Sequence, residues 1–367
     1  MAKSLFRNEV YSAKAYVPGK PVEDLKRELK INEIEKLASN ENPLGPSPKA
    51  MEYIKNEVKN INMYPDSAAK KVREKLAEKH NVKFENVVVG SGGEELIKTI
   101  AETFINPGDE VLIATPTFGK YATDVSFLGG IVINVPLDKE YKQDVKKIVE
   151  SVNEKTKLIF ICNPNNPTGN IMTKSEEDYL VKNLPQDVVV VFDEAYYEYA
   201  IKNKEYPESL NILKERPNTI ILRTFSKVAG IAAVRLGYLL TSKEICEAMY
   251  KIKLTFSVNR LAQAAALGAL EDKEHIEKTV ELNYKSLALM EEYFEKNNFE
   301  YIKSSANFVF VNVNKDSKVV FQKLLEKGII IRAGYLWGWN TWLRVSTGTI
   351  EQTKKFIEKL EEVLKAN

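Results

Sequence analysis

Between about residues 86 and 240, short β-branched runs alternate with amphipathic stretches, and this alternation constrains the fold more than any other feature of the chain. The runs are V-V-V before Gly90, V-L-I-A to Ala114, I-V-I-N-V to Val135, K-L-I-F-I-C to Cys162, V-V-V-V-F to Phe192 and I-I-L-R to Arg223. Continuous apolar runs linked by helical patterns predict strands buried on both faces, in a mostly parallel α/β sheet between helices. Ligands bind such sheets outside the carboxyl ends of the strands. Five polar clusters follow those ends: S-G-G-E-E, T-P-T-F, N-P-N-N-P-T-G, D-E-A-Y and T-F-S-K. They are expected to converge on one site.

At 367 residues the chain exceeds the usual size of one core, so a large domain with a smaller one beside it is expected. Beyond about residue 260 the pattern changes to long charged helices, then N-F-V-F-V-N-V, G-I-I-I-R, W-L-R-V-S and a lysine-rich terminal helix from Glu351. This predicts a smaller α+β domain over 259–367, a large domain over 41–258, and an N-terminal arm and helix over 1–40.

Charge narrows the partners. Lysine and arginine number 53 against 51 acidic residues, which leaves no broad field to attract nucleic acid or an anionic membrane. No apolar run approaches the ~20 residues of a membrane helix, and the opening residues lack a secretory apolar stretch, so a cytoplasmic protein is expected. The two cysteines, Cys162 and Cys246, stand far apart and suggest neither a disulfide framework nor a metal site. Both histidines, His80 and His275, sit in charged contexts that read as solvated helix surface. That shortage argues against histidine-dependent hydrolases and histidine-bound metals.

The segment R-T-F-S-K-V-A-G-I-A-A-V-R-L-G-Y, from Arg223 to Tyr238, carries the strongest chemistry. Lys227 sits among apolar and small residues, where an ammonium is costly unless it is consumed in a covalent bond. Arg235, Thr224 and Ser226 supply a planar cation and two hydroxyls suited to a phosphate tethered nearby. Asp193 ends the apolar run V-V-V-F-D, as a helix cap or as a carboxylate awaiting a partner. In G-S-G-G-E-E, Ser91, Gly92 and Gly93 leave amides for phosphate at a helix N-terminus. Phe118 is either a stacking ring or a core aromatic, with Tyr121 the alternative stacker.

These strings resemble the fold-type-I pyridoxal-phosphate aminotransferases, whose lysine region reads S-K-x-x-G-x-x-x-x-R-x-G. The resemblance implies pyridoxal 5′-phosphate as cofactor and Lys227 as the Schiff-base lysine that moves the substrate's Cα proton. It implies that Asp193 pairs with the pyridinium nitrogen and that Tyr196 and Asn166 of N-P-T-G reach the phenolic oxygen. Ser91, Gly92, Gly93, Thr224, Ser226 and Arg235 would then meet the phosphate, and Phe118 the ring.

K-L-A-S-N-E-N-P-L-G-P-S-P from Lys36, Y-V-P-G-K from Tyr16 and M-Y-P-D from Met63 are similar to the histidinol-phosphate aminotransferase family. That resemblance implies a homodimer in which Tyr64 reaches the partner's cofactor phosphate. It implies transfer from L-histidinol phosphate to 2-oxoglutarate, with Arg332, Arg344 and Tyr16 holding the substrate. One stretch departs from the pattern: Trp337, Trp339 and Trp342 crowd between the two arginines. They either favour flat aromatic donors or pack the small domain. An aromatic-amino-acid aminotransferase is therefore the alternative, and a decarboxylase of a phosphorylated amino acid a second one.

Overall fold

The computed structural model describes residues 5–12, 26–28 and 33–365. Its largest sheet has seven strands: β2 (Val87–Gly90), β3 (Glu110–Thr115), β4 (Ile131–Pro136), β5 (Thr156–Cys162), β6 (Val189–Asp193), β7 (Thr219–Thr224) and β8 (Gly237–Thr241), with β1 reserved for Glu35–Lys36 outside it. The strand order is β2-β8-β7-β6-β5-β3-β4. Only β8 runs against its neighbours; β7, β6, β5, β3 and β4 pair in parallel.

Alternation within the strands explains why the runs are continuously apolar. Val87 and Val89 enter one core and Val88 the other; Ile159 and Ile161 face the first, Leu158 and Phe160 the second. Period-2 geometry sends successive side chains to opposite faces, and helices cover both. The edge strand β4 is the exception, with Ile131 and Asn134 partly or fully exposed.

Register then gathers the site. Gly237 on β8 lies between Gly90 of β2 and Thr224 of β7. Asp193 lies between Cys162 of β5 and Leu222 of β7. The glycine turn, the N-P-T-G loop, Asp193 and the Lys227 segment thus leave the same edge of one sheet.

A four-stranded sheet forms a second core, in the order β12-β13-β10-β9, from β9 (Tyr301–Ile302), β10 (Phe308–Asn312), β12 (Arg332–Ala333) and β13 (Trp342–Ser346). β11 (Ile329–Ile330) pairs with β1, which ties residues 35–37 to this smaller unit. The helices Lys273–Lys296, Ser317–Glu326 and Ile350–Lys365 pack against it. The helix Arg260–Glu271 instead places Ala262, Ala265, Ala266 and Ala269 in a core of the large sheet.

The three tryptophans gather around Phe310 of β10. Ring centroids lie 5.9, 5.3 and 5.0 Å from it for Trp337, Trp339 and Trp342. Tyr141 closes the cluster against Trp339 and Trp342.

Both histidines depart from the expectation of solvated surface. His80 bonds the Tyr238 hydroxyl at 3.0 Å and faces the Arg223 guanidinium. Burial, with the charges of Arg223 and Lys79, depresses its imidazole to about 3. His275 is 7% exposed and touches the Asn42 amide. Charged flanks on a helix say nothing of the face that turns inward, and here each imidazole occupies that face.

Candidate active site

Lys227 follows β7 on a turn whose shape depends on Gly230. There φ is +68°, and a Cβ would stand 2.1 Å from the Gly45 carbonyl oxygen, a conformation and an approach that only glycine tolerates. The Lys227 amine donates to the Ser39 carbonyl at 3.2 Å. Burial, then the positive charge of Arg344, lowers it to about 8. A lysine so held has a large neutral fraction near physiological pH and can act as nucleophile or base.

Asp193 is 5% exposed and accepts from the Tyr121 hydroxyl at 2.6 Å and the Ala195 amide at 3.1 Å. Burial pushes its carboxyl up to about 6. Among the described residues no cation forms an ion pair with it. Tyr121 is itself fully buried, stacked on Phe160 with centroids 4.5 Å apart. It therefore orients the carboxylate, while Phe118 lies edge-on to it at 5.6 Å and half-buried.

Tyr196 is buried, and burial raises its hydroxyl above the ordinary range. Its oxygen accepts from Asn40 at 2.9 Å, and the Asn166 amide stands 3.5 Å away. Asn166 in turn accepts from Arg344 at 2.6 Å. Arg344 also donates to the Ala38 carbonyl at 2.7 Å and lies over the rings of Phe308 and Trp337, 5.3 and 5.4 Å from their centroids. Arg332 sits directly opposite Arg344 across β12 and β13. Like charges on facing residues are unfavourable by themselves, and the Arg332 guanidinium makes no hydrogen bond or ion pair among the described residues.

The helix Gly92–Phe104 starts beside Arg235. At Gly92 φ is +81°, and a Cβ would lie 2.5 Å from the Arg235 guanidinium. Amides of a first helical turn have no partner within the helix, so Gly92 and Gly93 offer donors where the dipole favours an anion. The Ser91 amide is capped by the Glu95 carboxylate. Thr224 and Ser226 share a 3.0 Å hydroxyl contact at the end of β7.

These residues fit pyridoxal 5′-phosphate. A buried carboxylate lacking a cation suits a protonated ring nitrogen, a lysine of lowered pKa suits the aldehyde, and a guanidinium against a glycine helix start suits the phosphate. Tyr64 stands apart from them, 79% exposed and stacked on Phe256. Tyr16 lies outside the described residues.

Sequence reasoning missed the roles of four residues in the arrangement. Asn40 touches Tyr196 across 156 positions of chain. Tyr121 donates to Asp193. Glu194 and Arg223 form a buried ion pair at 2.8 Å, 0% and 2% exposed, that joins the ends of β6 and β7 beside Asp193 and Thr224. For Glu194 and Arg223, their positions inside D-E-A-Y and R-T-F-S-K were the available signal.

The family described as aminotransferase class I and II matches residues 32–360. A histidinol-phosphate aminotransferase of Caldicellulosiruptor saccharolyticus is 45% identical over 98% of this chain and 100% of its own length. One from Moorella thermoacetica is 43% identical over 98% and 92%. The crystal structure of histidinol-phosphate aminotransferase from Sinorhizobium meliloti, in complex with pyridoxal-5′-phosphate, superposes with a TM-score of 0.90, at 26% identity over 100% and 99% of the two chains. Aspartate aminotransferase from Thermus thermophilus shares the fold, with a TM-score of 0.85 at 22% identity over 98% and 100%. By profile, full-length identity and superposition alike, the chain belongs to the class I and II aminotransferases and, within them, to the histidinol-phosphate aminotransferase family.

Proposed function

We propose that this chain transfers the amino group of L-histidinol phosphate to 2-oxoglutarate, reversibly, giving imidazole-acetol phosphate and L-glutamate in histidine biosynthesis. The observation that carries the reading is the facing pair Arg332 and Arg344 in a chain whose relatives of that name match it end to end. Two guanidinium groups side by side can take the phosphate of one substrate and the carboxylate of the other in turn.

Bound pyridoxal 5′-phosphate supplies a ring that draws electrons from the substrate's Cα–H bond. Lys227 would hold the cofactor covalently and its amine would carry the proton from the substrate's Cα. Asp193 keeps positive charge on the ring nitrogen, and Tyr121 fixes the carboxylate. Tyr196 and Asn166 donate to the phenolic oxygen. Arg235, the Gly92 and Gly93 amides and the hydroxyls of Ser91, Thr224 and Ser226 hold the phosphate, and Phe118 covers the ring. Tyr16 adds a third substrate contact. Tyr64 is contributed by a second copy to its partner's phosphate, so the working unit is a cytoplasmic homodimer with two sites. Among the described residues no helix is long and apolar enough to cross a membrane. Small molecules are the substrates, and neither nucleic acid nor membrane takes part.

The alternative, an aromatic amino donor, rests on Trp337 alone. Its ring touches Arg344, whereas Trp339 and Trp342 pack on each other and on Phe310. Mixing the loaded enzyme with L-histidinol phosphate and, separately, with L-phenylalanine while following the cofactor's absorption decides between them. Fast conversion at low histidinol phosphate with a sluggish response to phenylalanine supports the proposal. The reverse order of rates defeats it.

A further inference from the structure

Asn40 lies in the S-N-E-N segment, 1% exposed, and holds a left-handed φ of +54°, which asparagine adopts more readily than most residues. Its Nδ2 donates to the Tyr196 hydroxyl oxygen at 2.9 Å, and its Oδ1 accepts from the Ser346 hydroxyl at 2.7 Å. Its own amide donates to the same serine oxygen at 2.9 Å, and its carbonyl accepts from Asn307 at 2.9 Å. Ser346 stands two positions from Arg344 on β13. One side chain therefore joins the strand that carries the substrate arginine to the phenol of the large domain.

A phenol has one proton to give, and its oxygen can accept as well. Asn40 donates to the Tyr196 oxygen, so the tyrosine's own proton cannot point back at that amide. Among the described residues no group accepts it. The Lys227 amine lies over the face of the same ring, 5.9 Å from its centroid, so the phenol borders the space in front of that amine.

We propose that Asn40 is a positioning residue: held by Ser346 and Asn307, it fixes the Tyr196 hydroxyl as a donor toward the cofactor's phenolic oxygen. Withdrawing electron density from that oxygen weakens its grip on the proton of the Lys227 linkage, so Asn40 acts, through Tyr196, to keep that proton labile. This rests on the cofactor reading. The charges facing Tyr196 are Arg344 and Asp193, with the Cys162 thiol beside them; those facing Lys227 are Arg344, Glu41, Arg235 and Asp193. None of these changes in Asn40→Ala, whereas Asn40→Asp adds a carboxyl group of its own.

The test is the pH midpoint of the bound cofactor's absorption change in Asn40→Ala, Asn40→Asp, Tyr196→Phe and the Asn40→Ala/Tyr196→Phe double variant. Loss of one well-placed hydrogen bond predicts a rise of ~1 pH unit in Asn40→Ala. Asn40→Asp presents an acceptor to the phenol and should raise the midpoint further. In the Tyr196→Phe background Asn40→Ala should add nothing. An unchanged midpoint in Asn40→Ala, or a full shift that persists without the Tyr196 hydroxyl, overturns the proposal. If the Asn40 variants do not fold, Ser346→Ala takes their place: a smaller rise supports the assignment and no rise overturns it. A wild-type chain that takes up no pyridoxal phosphate defeats the cofactor reading instead, and the proposal with it.

Discussion

The Tyr121 hydroxyl donates to the Asp193 carboxylate at 2.6 Å, two side chains 72 positions apart that meet at the end of the central strand. The bond holds the carboxyl down, but burial wins, and the cofactor-free value rises from 3.8 to about 6. A buried carboxylate that pairs with no cation is in the state that a ring nitrogen's positive charge relieves.

That balance predicts how the cofactor-free protein responds to pH. The folded chain binds the Asp193 proton more tightly than the unfolded chain does, so the stability it contributes is complete below about pH 4. It is lost as pH rises through about 6. Asp193→Asn stays neutral throughout and keeps an acceptor for Tyr121. The cofactor-free variant should exceed the wild type by about 3 kcal/mol at pH 7, from a shift of about two units, and equal it at pH 4. Urea unfolding at the two pH values measures the difference. Equal stabilities at pH 7 would show that Asp193 is not strained by burial. The same variant should transfer no amino groups, since nothing then keeps the ring nitrogen charged.

Lys227 predicts a second pH dependence. Its amine must be neutral to bond the cofactor's aldehyde, and burial beside Arg344 brings that condition down to about 8. Uptake of pyridoxal phosphate by the cofactor-free protein should therefore quicken with pH, pass half of its limit near pH 8 and level off above that, where an ordinary lysine reaches half only at about 10.4. Arg344→Met removes the second cause of the depression, so its plateau should move to higher pH. A plateau that stays put would mean that Arg344 has no influence on the amine. Lys227→Ala should lose at least the ~10²–10⁴-fold that a positioned acid–base group contributes.

The parallel strands were legible because burial on both faces leaves continuous apolar runs such as Val189–Asp193. β8 was not, since its first residues, Gly237 and Tyr238, belong to the Arg223–Tyr238 motif and were read there for their chemistry. Site residues that stand in family strings, among them Lys227, Asp193, Asn166 and Arg235, could be named from the sequence, and the structure brings them to one sheet edge. Asn40 could not, and Tyr121 was named only as a stacking ring, because their contacts to Tyr196 and Asp193 span long stretches of chain. His80 was misread for a related reason: its lysine-rich neighbours describe one face of the helix Lys70–His80, and the imidazole lies on the other, against Tyr238.

Glu194 and Arg223 predict a stability effect near the site without contact to substrate. Their pair is fully buried, and Arg223 also lies 3.4 Å beneath the Tyr197 ring. Removing one partner strands the other charge, which costs ~3–5 kcal/mol. Arg223→Met should lower the unfolding free energy by that amount, while Arg223→Met/Glu194→Leu, which buries no charge, should recover most of it. Denaturant titration of the three proteins separates the cases. A double variant as unstable as Arg223→Met would mean that packing, not the unpaired charge, sets the loss.

Arg332 gives the sharpest test of substrate binding, because among the described residues its guanidinium makes no hydrogen bond or ion pair that its removal would break. Arg344 is less clean, since it also holds Asn166 and the Ala38 carbonyl. Arg332→Gln removes one charge from the facing pair and should leave folding and cofactor absorption unchanged. A charged hydrogen bond of ~1.5–3 kcal/mol predicts a drop of roughly 10- to 150-fold in kcat/KM for histidinol phosphate. Most of it should appear in KM, because a guanidinium far from the reacting carbon grips ground state and transition state alike. The non-phosphorylated alcohol, L-histidinol, has no phosphate to lose and should react at nearly the same rate with variant and wild type. An equal fall for both donors would place Arg332 outside the phosphate's reach and leave Arg344 to hold it alone.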